Sequence, residues 1–233
     1  MLVVYDHSLS GRLGTLLSAL IVIHCIVGLT MHRDFYAGKP RRDFFCFYTN
    51  LSNLLVLIYF ALIAPRLYAQ SACHLLIPGA EFSVMMSIML TFCVFHCILF
   101  PAIRNRISQM PRTREYYIVA VDNLIIHYLV PLLVFAYWVF CSPGKQQLMP
   151  YHAVYWTLFP LAYGCIMLFR AQSGRIIEET SSPFPYPFLD YRALGMRSVA
   201  YTSIRLYSLC LYAGIAVITC VRFVSAAVQI LPF

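Results

Sequence analysis

A chain of 233 residues that is 61% hydrophobic and only 11% charged, with a mean hydropathy of +0.74, cannot be kept in solution as a globular domain and is expected to be an integral membrane protein. Its formal net charge of +8 does not point to nucleic acid, because the basic residues stand in short connectors between apolar runs and form no continuous basic face. The nine cysteines fall mostly inside those runs, where small polarizable side chains pack, and they do not read as a disulfide framework.

In chain order, six apolar runs come close to the roughly 20 residues that a hydrocarbon core demands. They cover 11–31, 44–64, 82–103, 117–141, 153–169 and 204–223. None has the period-two alternation of an outer-membrane barrel. The expected fold is therefore all-α, a single polytopic domain built as a bundle of six transmembrane helices. The first run follows neither a basic n-region nor a small-residue cleavage site, so it is expected to stay as a span. The fifth carries Pro160 in mid-run and should kink there. Thirteen of the 17 Lys and Arg residues stand on one side, twelve in the connectors after runs one, three and five and Arg205 just inside the sixth run. The positive-inside rule then puts both termini outside the cytoplasm.

The second run opens on a polar notch, Phe47-Tyr48-Thr49-Asn50-Leu51-Ser52-Asn53. In a helix Thr49, Ser52 and Asn53 share a face at i, i+3 and i+4, with Asn50 about 100° away. Unsatisfied polar groups in hydrocarbon are expensive, so the notch calls for partners. A second anomaly lies in the fourth run, Asp122-Asn123-Leu124-Ile125-Ile126-His127-Tyr128-Leu129-Val130-Pro131. Asn123, His127 and Pro131 fall on one face at i, i+4 and i+8. Pro131 has no N–H for the carbonyl of His127, which should loosen the helix at the ring. Counted from the same side of the membrane, Thr49 and His127 differ in depth by roughly 8 Å before tilt, so the two can meet.

A hydroxyl beside an imidazole is the minimal kit for acyl transfer, with the ring as general base. Asn50 or Asn53 would support the developing oxyanion, with Asn123 nearby and Asp122 as a candidate partner for the ring. The connector 181–195 carries alternating prolines and aromatics, Pro183-Phe184-Pro185-Tyr186-Pro187-Phe188-Leu189-Asp190. It should run extended, either as a lid over the bundle mouth, with Tyr186, Pro187, Phe188 and Asp190 as its candidate residues, or as an interfacial aromatic anchor. Cys93, His96 and Cys97, with His24 and Cys25, form no closed tetrahedral set, so neither a metal nor another cofactor is expected.

Three strings, Phe47 to Leu55, His127-Tyr128-Leu129-Val130-Pro131 and Tyr186-Pro187-Phe188-Leu189-Asp190, together resemble the androgen-induced-gene and androgen-dependent TFPI-regulating protein family, most closely its short bacterial-type branch. The resemblance covers nearly the whole chain, with the motifs in the family's order. It implies a multi-pass hydrolase with a threonine nucleophile, falling on Thr49, and a histidine partner, falling on His127. It also implies a lipid ester substrate, fatty acid esters of hydroxy fatty acids in the animal members, and the cytoplasmic membrane of a bacterium as the location. The rival expectation is a non-enzymatic membrane protein that binds or transports a lipid or small molecule at the same notch.

Overall fold

The computed structural model describes residues 9–32, 42–68, 78–101, 104, 109, 111–142 and 144–230. Several basic residues of the expected connectors, Arg33, Lys39, Arg41 and Arg106 among them, lie outside that set. The fold is an all-α polytopic membrane architecture: among the described residues five helices are long and apolar enough to cross a bilayer, and a shorter apolar one, Tyr48–Ile63, joins them. In hydrocarbon the helix is the open-chain structure that satisfies every backbone group within its own segment.

Helix α1 (Leu9–His32), α2 (Tyr48–Tyr68) and α3 (Pro78–Val94) are followed by α4 (Arg114–Leu124) and α5 (Val130–Cys141), which together make the fourth span. The fifth span divides into α6 (His152–Tyr155) and α7 (Leu158–Gln172). After a short α8 (Tyr191–Leu194), α9 (Met196–Ile230) closes the chain. Helix α1 packs on α2 and α5, and α3 packs on α2 and α5. Their shared core includes Ile21, Val56, Phe60, Phe82, Ile126, Val134 and Tyr137. Much of α9 keeps its apolar side chains exposed, among them Tyr201, Ile204, Tyr212 and Phe223, as a lipid-facing helix does.

Prolines explain the departures from straight helices. Pro160 was expected to kink the fifth span at mid-run, but the break falls ahead of it, between Tyr155 and Leu158. Pro160 then sits in the first turn of α7, where its missing N–H costs nothing. Two π-turns, Phe95–Leu99 and Ile125–Leu129, each stand just before a residue followed by proline, Phe100-Pro101 and Val130-Pro131. In each the residue before the proline donates its N–H five residues back, Phe100 to the Phe95 carbonyl and Val130 to the Ile125 carbonyl. The helix absorbs the proline by widening one turn. The loosening expected at His127 thus takes the form of a π-turn.

The connector before α8 is not the extended strip expected from its prolines. Ile177 donates to the Ser182 carbonyl across a tight turn, with Ser181 in the left-handed region at φ 51°, and Thr180 Oγ1 bonds the Ser182 and Phe184 carbonyls. Phe184, Tyr186 and Leu189 are buried against Tyr163, Met167 and Ala171 of α7 and against Cys46 and Tyr48. Packing of those aromatics outweighs the local preference for an open path, and the connector becomes a wall of the bundle.

Candidate active site

Helix α2 begins later than its hydrophobicity suggests. Phe44–Cys46 form a single 3-10 turn, Phe47 is extended at φ −101° and ψ 132°, and the helix starts at Tyr48. Asn50 and Leu51 both donate to the Phe47 carbonyl, which makes Phe47 the cap and puts Thr49 in the first turn. A residue there stands at the positive end of the helix dipole, where developing negative charge is favoured.

Thr49 Oγ1 lies 3.4 Å from His127 Nε2, and both side chains are buried. The π-turn delivers the ring: Ile125, Ile126 and His127 all face inward, and the imidazole stacks on Phe95 at 3.7 Å between centroids and 19° between planes. His127 Nδ1 completes no hydrogen bond of good geometry, and the Asn123 carbonyl one turn back is the backbone acceptor on its own helix. A proton held on that side leaves the Nε2 lone pair for the Thr49 hydroxyl.

The asparagines do other work than the oxyanion support expected of them. Asn53 Nδ2 donates to the Thr49 carbonyl at 2.8 Å and to the Ile126 carbonyl at 3.1 Å. Within a π-turn the Ile126 carbonyl would take the N–H of residue 131, which is proline and has none. Asn53 fills that vacancy and ties α2 to the turn carrying His127. Asn50 Nδ2 donates to the Phe44 carbonyl at 2.7 Å and closes the 3-10 turn before α2. Asn123 Nδ2 bonds the Val119 carbonyl of its own helix. Asn53 spends both amide N–H groups on carbonyls, and Asn50 and Asn123 each give one to a carbonyl.

Asp122, the expected partner for the His127 ring, instead pairs with His32 of α1, Oδ2 to Nδ1 at 2.6 Å. Adjacent helical positions diverge by about 100°, so Asp122 turns toward α1. Ser52, on the Thr49 face, donates to the Thr49 carbonyl and shares a 2.7 Å hydrogen bond with Thr91 of α3.

Of the four expected lid residues, Tyr186 enters the site. Its hydroxyl receives the Tyr48 N–H at 3.2 Å and also interacts with the side chain and the backbone N–H of Thr49. Phe188 stacks on it at 5.3 Å, with the rings 3° from parallel. Pro187 opens a single 3-10 turn, Pro187–Leu189. Asp190 caps α8 by accepting from the Arg192 and Ala193 N–H groups, and so lies outside the site. Tyr163, not singled out from sequence, donates its hydroxyl to the Cys46 carbonyl at 2.7 Å and packs beside Tyr48 and Tyr186. A tyrosine in the middle of an apolar span was the available signal, since a buried phenol needs a partner.

Thr49 borders a cavity of about 230 Å³ between α2, α3, α7, α9 and the connector. Its lining is overwhelmingly apolar and includes Leu90, Phe95, Leu168, Phe188 and Leu206, with Thr49, Thr91, Ser203, Tyr48, Tyr163, Tyr186 and Tyr207 as the hydroxyl-bearing positions. Such a pocket suits an acyl chain with its polar end at Thr49. Among the described residues no group of three or more His, Cys, Asp or Glu is arranged to hold a metal ion. No family model, no curated protein and no solved structure matches the chain.

Proposed function

We propose that the chain is an intramembrane hydrolase of lipid carboxylic esters, with Thr49 as nucleophile and His127 as its base, of the kind implied by the resemblance to the androgen-induced-gene family. The observation that carries this reading is the 3.4 Å approach of Thr49 Oγ1 to His127 Nε2 beside an apolar cavity. In the first half-reaction Thr49 Oγ1 bonds to the ester carbonyl carbon while its proton passes to Nε2. The tetrahedral centre then collapses, the C–O bond to the alcohol breaks, and the imidazolium returns the proton to the leaving oxygen. Water repeats the sequence on the acyl-threonine, releasing the fatty acid and restoring the Thr49 hydroxyl. The excess of basic residues on alternate connectors supports a topology with both termini outside the cytoplasm, and the resemblance implies the cytoplasmic membrane of a bacterium.

The test is turnover of a panel of long-chain and branched fatty acid esters by the purified protein, with a fluorophosphonate probe to tag the nucleophile. Thr49→Ala is expected to abolish labelling, and His127→Ala to lower turnover about 10²–10⁴-fold. Labelling that survives in Thr49→Ala would overturn the nucleophile. Saturable ester binding with no product formed would make the chain a lipid-binding or transport module instead.

A further inference from the structure

We propose that the Tyr186 hydroxyl is the oxyanion donor for an ester attacked at Thr49, so that the connector between the last two spans supplies a catalytic residue. This rests on Thr49 being the nucleophile. An acyl-transfer site needs donors aimed at the oxygen that gains charge, and they must stand ready before the reaction. The amides of Asn50, Asn53 and Asn123 are committed to the Phe44, Thr49, Ile126 and Val119 carbonyls. The Ser52 hydroxyl is engaged with the Thr49 carbonyl and with Thr91.

Tyr186 is placed differently. Its oxygen already receives the Tyr48 N–H, and it contacts both the side chain and the backbone N–H of Thr49. The neighbouring Tyr163 spends its proton on the Cys46 carbonyl. The Tyr163 and Tyr186 hydroxyls also hydrogen-bond each other, so the Tyr186 proton lies between the Tyr163 oxygen and the Thr49 side chain and can turn to an oxygen that gains charge at Thr49. Burial pushes the Tyr186 hydroxyl up to about 12, which keeps the phenol protonated and a donor at neutral pH. Its ring is held by Phe188 on one face, with Phe47 and Tyr163 edge-on, so little motion is needed when charge develops. The positive end of α2 adds to the same field.

In the proposed step the Thr49 Oγ1–carbon bond forms and the carbonyl π pair moves onto oxygen. The Tyr186 O–H turns its hydrogen bond to that oxygen without proton transfer. On collapse the pair returns, the bond to the alcohol breaks, and His127 protonates the departing oxygen.

Sulfur accepts these hydrogen bonds poorly, so an oxyanion donor reveals itself in the rate ratio between a p-nitrophenyl ester and its thionoester of the same acyl chain. Tyr186→Phe is expected to lower kcat on the oxygen ester about 10²–10³-fold, with KM changed far less, and to shrink the oxygen-to-thiono ratio at least tenfold. Tyr163→Phe retains the Tyr186 hydroxyl and is expected to preserve the ratio. If Tyr186→Phe cannot be purified folded, 3,5-difluorotyrosine at position 186 keeps the shape while altering the donor, and is expected to shift the ratio. An unchanged ratio in folded Tyr186→Phe or in the fluorinated protein overturns the assignment, as does an unchanged kcat. Absence of turnover by the wild-type protein on both esters would instead overturn the hydrolase reading itself.

Discussion

The two π-turns form a natural pair, because the same local device ends in opposite environments. Each contains a histidine, each is followed by one residue and a proline, and the two touch: Phe95 of the first stacks on His127 of the second and meets Tyr128 edge-on. In the first turn His96, Cys97 and Ile98 are exposed, and His96 Nδ1 reaches the Tyr128 hydroxyl at 3.2 Å on the outside of the bundle. In the second, Ile125, Ile126 and His127 are buried among α1, α2 and α3. A widened turn before proline is thus a local event, whereas the side to which its histidine turns depends on the neighbours. At the bundle centre the ring nitrogen meets a buried hydroxyl, Thr49, and the orphaned carbonyl is taken up by an amide, Asn53.

The sharpest way to break this comparison is to remove each ring in turn. His127→Ala is expected to lower ester turnover about 10²–10⁴-fold, whereas His96→Ala on the exposed turn should stay within about twofold. Equal losses, measured as initial rates in the same detergent, would end the distinction between the turns. Restoring the missing N–H comes next. Pro131→Ala lets the chain return toward an ordinary α-helix, moves the ring, and is expected to cost up to about 10²-fold in turnover, because misplacement by 1 Å has that effect. Pro101→Ala should lose less.

A third substitution probes what holds the central turn. A Cβ at Gly28 would stand 2.6 Å from Cγ2 of Ile126 and 2.8 Å from Cγ2 of Ile125. Gly28→Ala is expected to destabilise by about 1–3 kcal/mol, read as a lower thermal midpoint, with turnover falling as the turn is pushed away from α1 and the ring moves from Thr49. The smallest effect on catalysis is expected at Asp122. Asp122→Asn weakens the pair with His32 and lowers stability by about 1–3 kcal/mol, yet turnover should stay within about threefold, since Asp122 faces α1. A hundredfold loss there would return Asp122 to the role of orienting His127.

Much of the site was legible because hydrocarbon makes polar groups conspicuous. Thr49 and His127 stood out as costly residues in apolar runs, and their compatible depth followed from helical rise alone. The partners of the remaining polar groups were not legible. The amide of Asn53 looked available, and only the packing of two helices brought it to the Ile126 carbonyl that the π-turn leaves without a donor. Tyr186 read as part of a lid, because its prolines predicted an open path and nothing local foretold burial of the connector against α7.

Composition and periodicity by themselves determined an all-α polytopic membrane protein and the polar face on which Thr49 lies, since both follow from the cost of exposing backbone and polar groups to lipid. Tertiary structure alone decided which of two histidines turns inward, that Asp122 belongs to His32, and that Tyr186 meets the start of α2. Each of these is a choice among partners distant in sequence, made where packing brings one hydrogen-bonding group within reach and carries another away.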